Sequence, residues 1–188
     1  LELLSQPMYV LISARAIAAT RQMSVADLLG TLFNWIFVSS LLRRSRRRPG
    51  VCLLDQGIFQ GLWSVGFGAG RGAVALLAGR LEGRMPTPDL VVVIETSLET
   101  VERRLRDRRG RDSRLERRLQ DEPGLLALSA SLLQETLAVL RGLSERSGHP
   151  RLLTVTNERE TDLEAAAREI VHYLEQDLGG LAAEIPGS

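Results

Sequence analysis

Three short apolar runs alternate along the chain with longer segments of helical pattern. They cover residues 51–54, 90–94 and 151–156, and the second run is nearly all β-branched. Short apolar runs between turn residues are typical of strands buried on both faces of a parallel sheet. The alternation therefore predicts an α/β fold, a three-layer parallel sheet with helices on both faces.

Between these runs, helical periodicity predicts six helices. They cover residues 8–22, 24–48, 59–81, 96–109, 125–146 and 161–178. Ser24 stands three residues before Asp27, and Thr96 stands three residues before Glu99, so both pairs predict helix N-caps. At 188 residues the chain suits one domain, residues 1–180 with a frayed tail at 181–188. The polar, arginine-rich residues 110–124 predict a lid.

Composition narrows the function classes. Hydrophobic residues make up 44% of the chain, charged residues 25%, and the formal net charge is +1, so we expect a soluble protein that does not coat nucleic acid. The single cysteine, Cys52, lies inside the first apolar run and is expected to be a buried core residue. One thiol forms no internal disulfide, which favours a reducing, cytoplasmic location.

The strongly apolar residues 26–42 are followed by a cluster of five arginines between positions 43 and 48. That order resembles a membrane span with a positive flank, but the segment is short for a span and contains Asp27 and Asn34. We therefore expect a buried core helix and no membrane partner. A helix this apolar could equally pack against a second subunit, which makes a homodimer the other expectation.

The carboxyl ends of the predicted strands supply the first candidate site residues. In open α/β sheets ligands collect beyond these ends, which here carry Asp55, Glu95 and Asn157. An acid in the position of Asp55 can hold Mg²⁺ or orient an acceptor hydroxyl. The alternative is that Asp55 only caps the following helix.

Arginines supply the second candidate group. Arg104 and Arg108 share one helix face, while Arg111 and Arg114 follow in the predicted lid. Arginines closed over a phosphoryl group stabilise its charge during transfer. The alternative is a solvated basic face that is balanced by neighbouring acids.

Side chains after Asp55 could form a base-binding surface. Phe59 and Trp63 could stack on a base while Gln60 hydrogen-bonds its edge, or both rings could belong to the core. The glycines of residues 66–72 do not follow a predicted strand and lack the G-x-x-x-x-G-K-[ST] pattern, so they predict close helix packing or a kink instead of a phosphate loop.

Taken in order, these residues resemble thymidylate kinases and related P-loop nucleoside/nucleotide kinases. Ala14-Arg15-Ala16 is similar to the A-x-R-A helix of that family, and Leu54-Asp55-Gln56-Gly57 is similar to its D-R-Y strand end. The strand that starts at Pro88-Asp89-Leu90, the Arg104/Arg108 pair, the lid residues 112–116 and the strand end at residues 154–157 follow in the family's order.

The resemblance implies a P-loop fold and phosphoryl transfer from ATP with Mg²⁺ to a small-molecule phosphate acceptor. Asp55 would act in catalysis and hold the metal, and Asn157 would lie near the adenine of ATP. Catalysis would also use the four arginines Arg104, Arg108, Arg111 and Arg114. Acceptor binding would use Arg15, Gln56, Phe59, Gln60 and Trp63.

The chain also departs from the family pattern. Gln56 stands where the family has arginine, Glu95 replaces the strand-end Asp, and Ser113 splits the D-R pair of the lid. The first strand, P-loop and first helix are absent from a sequence that begins at Leu1, so we expect an inactive fragment of a kinase. The alternatives are a non-catalytic relative that binds a nucleotide or a protein, and an adaptor for membranes or nucleic acid.

Overall fold

The computed structural model describes residues 7–48, 50–55, 57–107 and 124–183, and most of these are helical. They divide into two compact units, the first containing the described residues up to 89 together with 124–150, the second containing 90–107 and 151–183. The elements in chain order are α1 (Pro7–Ala18), α2 (Val25–Ser45), α3 (Ile58–Ala69), α4 (Ala73–Arg80), β1 (Leu90–Glu95), α5 (Leu98–Asp107), α6 (Leu125–Ser147), β2 (Arg151–Thr156) and α7 (Glu160–Ala183).

The first unit is a bundle of helices around one apolar core. Helix α3 lies at its centre, because it contacts α2, α4 and α6. Its own composition allows this: small and large apolar residues occur on all sides of the helix, and most of them are buried. The fully buried side chains of this core include Ile17, Trp35, Ile58, Leu62, Val65, Val74, Leu77, Leu132 and Leu140.

Helix α2 begins where the sequence predicted. The side chain of Ser24 accepts a hydrogen bond from the backbone N–H of Asp27, so the predicted N-cap is confirmed. One face of the helix, with Trp35, Val38 and Leu42, is buried in the unit. Ser39 on the same face shares a hydrogen bond of 2.9 Å with the hydroxyl of Tyr9, which ties α2 to α1.

The second unit contains the two strands of the described residues. β1 and β2 pair in parallel, from Leu90 opposite Arg151 to Glu95 opposite Thr156. Both strands lie where the sequence predicted them. Their predicted burial on both faces is wrong, since only Val155 is buried and Ile94 is 58% exposed. Helix α7 packs on β2, and α5 follows β1 directly.

The predicted three-layer parallel sheet of a P-loop fold is wrong. Residues 51–54 form no strand, and the sheet described here has only β1 and β2. Leu53 is 81% exposed and Cys52 is exposed as well, so the prediction of a buried thiol is also wrong. An apolar run forms a strand only where a neighbouring strand hydrogen-bonds to its backbone N–H and C=O groups. Residues 51–54 have no such neighbour among the described elements.

Two further differences concern where helices begin and end. The predicted helix over residues 59–81 is split into α3 and α4, because Gly70 and Gly72 adopt positive φ angles of 92° and 80°. At the start of α5 the capping side chain is Ser97, whose hydroxyl accepts from the N–H of Thr100, and not Thr96 as predicted. The hydroxyl of Thr96 donates to the carbonyl of Asn157 instead.

Candidate functional site at the carboxyl end of the parallel strands

The carboxyl ends of β1 and β2 lie side by side in the second unit. The backbone N–H of Asn157, the residue after β2, donates to the carbonyl of Glu95, the last residue of β1, at 2.9 Å. The hydroxyl of Thr96 donates to the carbonyl of Asn157 at 3.2 Å. These two bonds fix the chain reversals that follow both strands, so the side chains after the strands converge on one edge.

Arg104 reaches this edge from helix α5. Its Nη2 donates to Oδ1 of Asn157 at 3.2 Å, and both side chains are half-buried. Arg104 lies two turns into a helix that starts directly after β1, so its side chain can fold back toward the strand end. The structure thus brings together two residues that were predicted separately, one as a phosphate clamp and one as a neighbour of adenine.

Glu158 adds a negative charge to the same edge. Its carboxylate accepts hydrogen bonds from the backbone N–H and the hydroxyl of Ser97, the latter at 2.8 Å. It therefore lies at the amino end of α5, where the helix dipole favours an anion. Hydrogen bonds from the hydroxyl of Ser97 and, to a smaller extent, from its N–H lower the pKa of Glu158 below its ordinary value. A hydrogen bond with the Thr100 side chain and the charge of Arg104 lower the pKa further.

Replacing Ser97 with alanine is expected to raise the pKa of Glu158 toward the ordinary glutamate value, because the largest cause of the lowering is removed. A lowered pKa means that the carboxylate stabilises the fold above its unfolded-state pKa, and that this contribution is lost as the pH falls through the lower, folded value. The measurement is an NMR titration of the Glu158 side chain in both proteins. Identical titration curves would contradict the hydrogen bonds described here.

Sequence reasoning missed Ser97 and Glu158. Each stands next to a residue that was predicted, Ser97 after Thr96 and Glu158 after Asn157. The available signal was the residue type of Ser97, because serine is at least as favourable an N-cap as threonine. The partnership with Glu158 joins residues that are 61 positions apart, and no local pattern contains it.

The predicted residues of the first unit lie on other elements. Asp55 is exposed in a bend, and the strand that was expected to end there is absent. Arg15 is exposed on α1 and Gln60 is exposed on α3. Gln56 and the arginines Arg108, Arg111 and Arg114 lie outside the described residues.

The aromatic residues of α3 contact the helical core. Phe59 is buried, and the ring of Trp63 stacks on Phe67 with their centroids 5.3 Å apart. The indole N–H of Trp63 donates to the carbonyl of Ser129 on α6 at 3.1 Å. These contacts agree with the core alternative for both rings, and their stacking on a base stays a prediction.

Metal binding has no geometric support in the described part of the chain, where no group of three or more His, Cys, Asp or Glu side chains is close enough to hold an ion. The predicted Mg²⁺ at Asp55 stays a prediction.

Comparison of the chain with models of protein families, with curated proteins and with solved structures gives no match. The function of the chain is therefore inferred from its own side chains. In the second unit, Arg104, Asn157, Ser97 and Glu158 form a polar cluster at the carboxyl ends of the strands.

Proposed function

We propose that the second unit binds the phosphates of a nucleotide at Arg104 and Asn157, and that it serves phosphoryl transfer from ATP to a small acceptor. The observation that carries the proposal is the hydrogen bond between these two side chains at the carboxyl end of a parallel strand pair. This end of parallel strands is where α/β proteins bind their ligands. A P-loop fold is not part of the proposal.

The chemistry of the two side chains supports this. A guanidinium has several N–H donors in one plane, which suits the oxygens of a phosphate. Asn157 uses its Oδ1 to accept from Arg104, so its amide N–H groups are donors for a second oxygen. The hydrogen bond also fixes the orientation of Arg104, which lowers the entropy lost when a ligand binds.

Glu158 opposes a phosphate by its charge, because it lies at the amino end of the helix that carries Arg104. Phosphate groups that bind at Arg104 would feel this repulsion in the free protein. The nucleotide affinity is therefore expected to depend on both charges, in opposite directions.

Replacing Arg104 with alanine is expected to weaken the binding of a fluorescent ADP analogue about tenfold or more, since a hydrogen bond to a charged group contributes about 1.5–3 kcal/mol. Binding is measured by fluorescence titration at constant salt. The matched control is Arg106→Ala, which removes the same charge from the same helix at an exposed arginine that pairs with Glu102 at 3.7 Å. The control is expected to change the affinity by less than about twofold.

A second variant gives the opposite sign. Glu158→Gln keeps an acceptor for Ser97 but removes the charge, so nucleotide affinity is expected to rise about threefold to tenfold. Equal losses in Arg104→Ala and Arg106→Ala would contradict the proposed site. Absence of nucleotide binding would overturn the proposal as a whole, and binding without ADP formation from ATP, Mg²⁺ and a panel of acceptors would leave the non-catalytic alternative.

A further inference from the structure

Helix α2 carries a row of exposed apolar side chains along its full length. Val25, Leu29, Phe33, Phe37 and Leu41 follow one another at intervals of four residues, so they form one inclined ridge. Val25 and Phe33 are each 73% exposed and Phe37 is 57% exposed. The ridge is about 24 Å long, since it covers sixteen residue steps of a helix. Contiguous apolar surface of this kind marks an interaction site.

The opposite face of the same helix is fixed inside the first unit. Trp35 is only 1% exposed, and Val38 and Leu42 are buried beside it. By length and composition alone, α2 and α6 would both pass for membrane-spanning helices among the described residues. Because this face of α2 packs on protein, the ridge is the part of the helix that is free to contact lipid.

Positive charge lies at the end of the ridge. Leu41, Arg44, Ser45, Arg48 and Cys52 line an open cavity of about 240 Å³. Arg44 lies in the last turn of α2 and Arg48 follows the end of the helix, and both are exposed. Beyond the cavity the chain is apolar and exposed again, with Leu53 at 81%. Two arginines are thus flanked by apolar side chains on both sides.

We propose that α2 lies on an anionic lipid surface, with the ridge in the boundary between headgroups and acyl chains and the Arg44–Arg48 cavity on a phosphate headgroup. Charge complementarity decides for lipid over a second copy of this chain. Anionic headgroups attract clustered arginines, whereas a second copy whose α2 runs in the same direction would set the same positive cluster against them. The proposal concerns the first unit and does not depend on nucleotide binding.

The apolar part of the proposal is tested by flotation of the whole chain with vesicles. One set is phosphatidylcholine alone, and in the other about a quarter of the lipid is phosphatidylserine. We expect binding to the second set that weakens as salt is raised. Phe33→Glu/Phe37→Glu is expected to lower the partition coefficient at least about tenfold. The matched control is Leu76→Glu/Leu133→Glu, which changes two exposed leucines of α4 and α6 and is expected to leave binding unchanged.

The electrostatic part is tested with Arg44→Gln/Arg48→Gln. At about 1 kcal/mol for each arginine near an anionic surface, binding to the phosphatidylserine vesicles is expected to fall about thirtyfold. Binding to phosphatidylcholine alone should not change. Arg71→Gln/Arg141→Gln removes the same charge from exposed positions of the first unit and is the control. Equal losses in the two pairs would show general charge attraction and overturn the headgroup site.

Cys52 gives an independent readout, because it is the only cysteine of the chain, is exposed and lines the cavity. A polarity-sensitive dye on Cys52 is expected to shift to the blue with phosphatidylserine vesicles. The same dye in Cys52→Ser/Ser147→Cys should not shift. Absence of vesicle binding in the folded, unmodified chain would overturn the proposal. So would a dimer in sedimentation that Phe33→Glu/Phe37→Glu converts to monomer, because a second copy would then cover the ridge.

Discussion

Replacing Trp35 with alanine is expected to lower the free energy of unfolding by about 3–5 kcal/mol, the range for loss of a large buried aromatic side chain. The ring is 1% exposed and fills the contact between α2 and α3. The two helices approach closely there, since a Cβ on Gly61 of α3 would lie 3.3 Å from Cε3 of the ring. The measurement is urea unfolding followed by circular dichroism.

Two other variants of α2 serve as controls. Phe37→Ala removes an exposed aromatic ring two residues away and is expected to change stability by less than about 0.5 kcal/mol. Trp35→Phe keeps most of the packing and removes a buried indole N–H that has no hydrogen-bond partner among the described residues, so its loss should stay below about 1.5 kcal/mol. If Phe37→Ala cost as much as Trp35→Ala, the assignment of the buried and exposed faces of α2 would be wrong.

The faces of α2 also show where sequence reasoning ends. The N-cap at Ser24 is local, and the sequence predicted it correctly. Phe33, Trp35 and Phe37 are all apolar, however, so the sequence predicted a buried helix without indicating which side is buried. Only the packing of α2 on its neighbours separates the two faces, and this packing depends on residues distant in sequence.

The three apolar runs show that strand formation also depends on residues distant in sequence. Residues 90–94 and 151–156 were correctly predicted to be strands, because β1 and β2 pair with each other in parallel. Residues 51–54 have a similar composition but no partner strand in the described part of the chain. They form no strand, and the first three of them are exposed. Composition measures the preference of a segment for a pleated surface, whereas the strand itself depends on what lies beside it.

For the candidate site, the position of a residue at a strand end or on a helix face identified site residues. The type of side chain did not show which partner it would bind. A strand end identified Asn157, and a helix face identified Arg104, and these two residues do meet. Their neighbour Glu158 was missed, because an acid after a strand has many possible partners. The pairing of its carboxylate with Ser97 depends on the parallel register of β1 and β2.

The second large effect is expected in the contact between α3 and α6. Leu132→Ala should lower the free energy of unfolding by about 2–5 kcal/mol, because Leu132 is fully buried. Gly66→Ala should also destabilise, by about 1–3 kcal/mol, since its Cβ would lie 2.7 Å from Cδ2 of Leu132 and 2.8 Å from Cγ2 of Val74. The helical preference of alanine over glycine offsets about 0.5–1 kcal/mol of that loss.

The double variant Gly66→Ala/Leu132→Ala separates this contact from general fragility. Shortening Leu132 removes the nearest clash, so the combined loss is expected to be smaller than the sum of the single losses by about 0.5–3 kcal/mol. Gly30→Ala is the control for helical preference, because a Cβ at Gly30 in α2 meets nothing within 4 Å, and it should stabilise by about 0.5–1 kcal/mol. Additive losses at Gly66 and Leu132 would mean that the two residues do not touch, and α6 would then have to pack on α3 in another register.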